Sequence, residues 1–161
     1  GHRKLAFIGG RRGTSTGHDR RDGFLAALEQ AGIEPDPSLQ VGTERTRKAG
    51  YESVRKLFSE KPGCATAIVC FNDLLAIGAM SGLRSLGLEP GRDVAVTGYD
   101  DIAEAEISAP TLTSVWNGQQ KAGQLAARAM LRIIDGETGT GEDRLIEPEL
   151  RIRESSGEKI A

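Results

Sequence analysis

Histidine and cysteine are almost missing from this chain of 161 residues, which has two of each. Cys64 and Cys70 show neither C-x-x-C spacing nor the grouping of a zinc site, so they read as reduced thiols in a core or a loop. His2 and His18 stand alone in the sequence, and isolated histidines make poor metal sites. No metal and no cofactor are expected. Aromatic residues are 4% of the chain, which leaves few rings for stacking on a sugar. Charge of one sign is also lacking: the net charge is −2 and the pI about 5.8. That balance excludes nucleic-acid binding by bulk electrostatics from this chain alone. Unbroken apolar runs fall short of the roughly 18 residues of a membrane helix. The start, "GHRKLAFIGG", does not follow the signal-peptide pattern, so a cytoplasmic chain without a membrane partner is expected.

Catalytic signatures are equally scarce. "GGRRGTSTG" fits neither G-x-G-x-x-G nor the G-K-[ST] ending of a phosphate cradle. No serine sits in a G-x-S-x-G elbow, and no Ser–His–Asp or Cys–His set can be assembled. Asp100 at a strand end has the position of a phospho-accepting aspartate, but glycine and arginine stand where a receiver domain needs an acidic pair after the first strand. No enzyme is expected.

What the chain does have is alternation. "KLAFIGG" (4–10) reads as a buried strand, and residues 17–31 as a helix with Arg20, Phe24, Ala27, Leu28 and Ala31 on one face, stopped by Gly32. "LQVG" (39–42) is a second strand, followed by a helix carrying Tyr51, Val54, Leu57 and Phe58. "TAIVCF" (66–71), "DVAVTGYD" (93–100) and "LTSVW" (112–116) are further strands; helices are expected over 73–86 and 118–135. "RLIEPELRIRE" (144–154) alternates like an edge strand, and "DGETGTGED" (135–143) is a connector. Strand–helix alternation with short turns implies an α/β fold, a Rossmann-like doubly wound parallel sheet.

In such a sheet ligands bind beyond the carboxyl ends of the strands. Every exit here is polar: "GGRRGTSTGHDRR", "GTERTRK", Asn72-Asp73, "GYDD" and Asn117. Their convergence predicts a cleft for a small polar molecule. Structural roles compete for the same residues. Asn72 or Asp73 suits a helix N-cap, Thr16 with Asp19 has the form of a capping box, and Arg20, Arg45, Asp100 and Asp101 suit solvated loop or helix positions.

Several blocks carry a resemblance: "RRDGFLAAL", "AGYESVRKL", "AIVCFNDLLAIGAM", "LRSLGLEPGRDVAVTGYDD" and "PTLTSVWNGQQKAGQLAARAML". With "GHRKLAFIGG" they make nearly the whole chain similar to the effector-binding domain of the LacI/GalR (lactose/galactose repressor) family. The resemblance implies a lobe of the type I periplasmic-binding-protein kind. Residues 1–161 would be the C-terminal lobe, and 117–143 the crossover helix and connector to another lobe. It implies an effector-sensing part of a DNA-binding transcriptional repressor, responding to a sugar, a phosphosugar or a nucleobase-like molecule. The operator would be read through a helix-turn-helix outside this chain. A periplasmic-type solute-binding protein for uptake is the alternative. By position, the resemblance assigns effector contacts to Thr14, Thr16, Arg20, Arg45, Asn72, Asp100 and Asn117, with Asn72 facing the cleft and Asp73 capping the helix. Several relatives have an aromatic where Arg45 stands; an arginine there, with Arg11, Arg12, Arg20 and Arg21 nearby, favours a phosphorylated or carboxylated effector.

Helix 73–86 is apolar or small nearly all round, so one face is expected to be left over once it covers the sheet. Gly78 and Gly82 allow close backbone approach, and the resemblance implies a homodimer through Leu75, Gly78, Ala79, Gly82 and Leu83. In helix 118–135 an apolar stripe of Ala122, Leu125, Ala126, Ala129, Met130, Ile133 and Ile134 is implied to pack on the other lobe.

Overall fold

The computed structural model describes residues 1–10, 15–136 and 145–157. Thr14, Arg11, Arg12 and most of the 135–143 connector lie outside them. Six strands form one sheet in the order β2-β1-β3-β4-β5-β6. These are β1 (Leu5–Ile8), β2 (Gln40–Val41), β3 (Ala67–Cys70), β4 (Ala95–Tyr99), β5 (Thr113–Trp116) and β6 (Glu149–Arg151). The first five pair in parallel; β6 runs antiparallel on β5, with Val115 opposite Leu150. The helices are α1 (Ser15–Gln30), α2 (Arg47–Glu60), α3 (Asp73–Arg84), the short α4 (Ala103–Ile107) and α5 (Gln119–Ile134). The doubly wound α/β expectation holds, and every strand and long helix read from the sequence is present. The α4 turn was not foreseen, and the 144–154 edge strand shrinks to three paired residues.

Strand β1 is an interior strand. It lies between β2 and β3, so both its faces are covered, and Ala6, Phe7 and Ile8 are at most 2% exposed. Burying side chains as large as Phe7, Ile8 and Ile68 contributes about 2 kcal/mol each. The chain leaves β1 toward one edge through α1 and returns across it through α2, so right-handed crossovers put α1 on one face and α2, α3 and α4 on the other. Phe24 of α1 meets Phe7 with ring centroids 5.4 Å apart. The reversal of winding between β1 and β3 is the position where such sheets open a crevice.

Helices α2 and α3 press together backbone to backbone. A Cβ on Gly78 would lie 2.0 Å from the Arg47 carbonyl oxygen, one on Gly82 2.8 Å from that of Tyr51, and one on Gly50 2.2 Å from that of Leu75. The small residues of α3 therefore serve contact inside the chain. Leu75, Ala79 and Leu83 are fully buried and Gly78 and Gly82 are buried with them. This corrects the reading of those five as a dimer surface: α2 covers the face that the sequence left unassigned.

Helix α5 behaves otherwise. None of its residues is buried, and Met130, Leu131, Ile133 and Ile134 are 58–70% exposed. Its apolar stripe neither folds back on the sheet nor finds another cover among the described residues.

Candidate functional site

Glycine shapes the first mouth of the crevice. Gly9 and Gly10 follow β1 with φ of 136° and 65°, and a Cβ on Gly9 would lie 2.2 Å from the Phe71 Cβ. That close approach places the β1 exit directly against the β3 exit, where the Phe71 amide donates to the Ile8 carbonyl. Helix α1 begins at Ser15, ahead of Thr16, so Thr16 is an exposed helical residue and not the cap of a capping box. One turn further on, Arg20 reaches across the switch point.

Arg20 ties three strand exits together. Its Nη1 donates to the Phe71 carbonyl at 2.6 Å and its Nη2 to Asp100 Oδ1 at 3.3 Å. The guanidinium lies between two rings, 4.4 Å from the Phe71 centroid and 3.7 Å from that of Tyr99. Asp100 follows β4, and its Oδ1 also accepts from Asn117 Nδ2, just past β5, at 3.2 Å. Among the described residues Asp100 Oδ2 has no hydrogen-bond partner, and neither has the buried Asn117 Oδ1. Burial pushes the Asp100 carboxyl up from its ordinary value; Arg20, Arg45 and Asn117 act against that rise. Arg45, in the loop after β2, completes the rim with its guanidinium carbon 4.2 Å from the Phe71 centroid. Arg20, Arg45, Asn72, Asp100 and Asn117 thus come from separate exits to one lip of the sheet. Thr16 sits one helical turn before Arg20 on the same face. Thr14 is outside the described residues.

The Asn72-Asp73 pair divides its work differently from the sequence reading. Asn72 is the N-cap: its φ of −152° is extended, and its Oδ1 accepts from the Leu75 amide at 3.1 Å. Its amide nitrogen has no partner among the described residues and remains available to a ligand. Asp73 is not the cap. It is fully buried, accepting from the Ser114 hydroxyl at 2.6 Å and the Ile102 amide at 2.8 Å. Capping by Asn72 frees Asp73 to fasten the start of α3 to the β4 and β5 exits. Burial raises its pKa, Asp100 and Asp101 add to the rise, and its two hydrogen bonds oppose it.

Residues beyond the sequence list support this lip. Asp101, with 2% of its side chain exposed, pairs with Arg151 at 2.5 Å and Arg153 at 2.8 Å, binding the returning β6 segment to the β4 exit. Tyr99 and Trp116 end β4 and β5, and Phe71 directly follows β3; these rings are few in number but concentrated at the rim. Their positions beside Asn72, Asp100 and Asn117 were visible in "FND", "GYDD" and "WN", whereas the role of Asp101 needed the distant partners Arg151 and Arg153. Arg21, grouped with the rim arginines in the sequence, instead donates twice to Gln40 Oε1, at 3.0 and 2.7 Å. No group of histidine, cysteine and acids able to hold a metal occurs among the described residues, and Cys70 is buried with its thiol pKa pushed up by desolvation.

An arginine–carboxylate–amide constellation at a switch point offers donors and an acceptor for a polar ligand. Residues 1–156 match the periplasmic binding protein-like domain. The chain belongs to that family. This periplasmic binding protein-like domain is 34% identical over 158 residues to the HTH-type transcriptional repressor PurR of Haemophilus influenzae, strain PittEE, covering 96% of the chain and 47% of PurR. It is 35% identical to the HTH-type transcriptional regulator CelR of Thermobifida fusca, covering 96% of the chain and 45% of CelR. The CelR–cellobiose complex superposes with a TM-score of 0.85, over 96% of this chain and 47% of that one. The lac repressor dimer bound to operator and the anti-inducer ONPF gives 0.84 at 25% identity, over 97% and 46%. The chain therefore spans about half the length of the regulators it matches. No helix among the described residues is long and apolar enough to cross a membrane.

Proposed function

We propose that this domain is the C-terminal lobe, and half of the effector pocket, of a cytoplasmic transcriptional repressor. The observation that carries the reading is Asp100: Arg20 and Asn117 hold one of its oxygens from two other strand exits, which leaves the second oxygen to accept from a ligand hydroxyl. Arg20 acts as the fork that fixes the carboxylate, and Asn72 supplies an amide donor beside it. Thr14 and Thr16 are assigned the rim of the first loop. CelR, solved with cellobiose, supports a small polyhydroxyl effector.

The remaining half of the pocket and the DNA reader belong to the rest of the regulator. The exposed apolar stripe of α5 packs there, on the other lobe. Effector binding changes operator affinity to the extent that the ligand favours one arrangement of the lobes. The regulator works as a homodimer, as the lac repressor does in its operator complex. The dimer surface moves from the buried face of α3 to its outer edge, where Ile77 is half-buried and Ser81 and Arg84 are exposed. Arg84 Nη2 donates to the Ala109 carbonyl, which brings in α4 and its 80% exposed Ile107.

Operator binding by the full-length protein, titrated with sugars, sugar derivatives and nucleobases, tests the reading. A compound that shifts operator affinity in the parent and fails to do so in Arg20→Ala supports it. Failure to bind any DNA, or the same shift in both proteins, contradicts it.

A further inference from the structure

We infer that Asp101 is a positioning residue for effector binding: clamped by Arg151 and Arg153, it fixes the turn that aims the Asp100 carboxylate into the lip. The inference rests on the effector-sensor reading and adds residues that set affinity only through the backbone of Asp100. Residues 100 and 101 both have positive φ, 107° and 50°. Their side chains part company there: Asp100 goes to Arg20 and Asn117, Asp101 to Arg151 and Arg153. An aspartate has no preference of its own for a φ of 107°, so the conformation is imposed from the two ends of the turn.

At one end Tyr99 is fixed in β4 opposite Val115, and the Asp100 amide donates to the Val115 carbonyl at 2.9 Å. At the other end the Asp101 side chain is 2% exposed, with Arg151 Nη1 2.5 Å from Oδ2 and Arg153 Nη1 2.8 Å from Oδ1. A carboxylate buried between two guanidinium groups cannot leave them without stranding buried charge, which makes it the firmest point of the turn. Asp100 spans the gap between these two anchors, and its carboxylate emerges on the lip. Two further bonds hold the neighbouring amides, Asp101 to the Ser114 hydroxyl at 3.1 Å and Ile102 to Asp73 Oδ2 at 2.8 Å. They are the rival support: if they suffice, the clamp is dispensable. Both arginines belong to the segment that returns after α5, Arg151 at the end of β6 and Arg153 two residues on. The clamp therefore ties the aim of the effector's acceptor to the chain that comes back from the other lobe.

The test uses the full-length regulator and Asp101→Gly, because glycine accepts a φ of 50° and removes only the clamp. Arg151→Gln, at a side chain 36% exposed, is the milder second variant should Asp101→Gly fail to fold. Crystal structures of the ligand-free proteins read the position of Asp100; calorimetry reads binding of cellobiose, glucose, galactose, ribose, glucose 6-phosphate and adenine. In the variant Asp100 is expected to leave positive φ and lose Arg20 and Asn117. Affinity for a probe that the parent binds should fall roughly five- to a hundredfold, the penalty of a strained φ that nothing imposes any longer. Arg151→Gln should lower affinity in the same direction in the parent and add nothing in an Asp100→Gly background. A merely structural role would add the same factor in both. An Asp100 that keeps its place in the variant overturns the positioning role and leaves the sensor reading intact. An Asp100 that moves without loss of probe affinity overturns both, and so does a parent that binds none of the probes.

Discussion

Asp100 holds a backbone that side chains seldom adopt, with φ at 107°, and Asp101 follows at 50°. Such angles cost about 1–3 kcal/mol each and persist where neighbours over-determine them. Here Arg20 and Asn117 hold one aspartate, and Arg151 and Arg153 the next. Asparagine tolerates positive φ, so Asp100→Asn should change unfolding free energy by less than about 1 kcal/mol. Its effector affinity should fall at least about tenfold, the cost of one charge-assisted contact, as read by calorimetry. Asp73 is the opposite kind of residue. Asp73→Ala leaves the Ser114 hydroxyl and the Ile102 amide without their acceptor, and urea unfolding should show a loss of about 2–4 kcal/mol. Its raised pKa also sets a pH dependence. Above its ordinary value of 3.8 the folded chain still binds the proton that the unfolded chain has released. The stability attached to this group is therefore complete below that value and is lost as pH rises through the folded pKa. Unfolding between about pH 3.5 and 7 should show the parent losing stability relative to Asp73→Asn as pH rises; a parallel pair of curves would contradict the burial of a costly charge.

Among the elements, α3 shows where sequence reasoning stopped. Its apolar, small-residue composition was legible, and so was its start at Asn72-Asp73. Which neighbour needed its glycines was not, because Gly78 and Gly82 permit close approach without naming the partner. The partner is α2, whose Arg47 and Tyr51 carbonyls occupy the space a methyl group would need. Gly78→Ala should therefore cost roughly 3 kcal/mol by forcing the two backbones apart, measured by urea unfolding of the variant. Strand exits were easier to read, since alternation places β1, β3 and β4 and parallel pairing then aligns their ends. The exchange of roles between Asn72 and Asp73 was not legible. Either residue can cap a helix, and the choice depends on Ser114, which approaches only through the β4–β5 pairing.

For the whole molecule, the exposed surfaces of α4 and α5 are the features that a lone domain explains least. Ile107 on α4 is 80% exposed. In the full-length regulator Ile107→Asp should shift sedimentation from dimer to monomer at low micromolar concentration; an unchanged dimer would move the interface elsewhere. The most direct test of the effector lip is the effector concentration that gives half the full change in operator affinity of the full-length protein, parent against Asp100→Asn, once a ligand is found. An increase of at least about tenfold, with the unfolding midpoint and the ligand-free operator affinity unchanged, is the expected result. Identical titration curves would mean that the ligand is bound somewhere other than the lip made by Arg20, Asn72, Asp100 and Asn117.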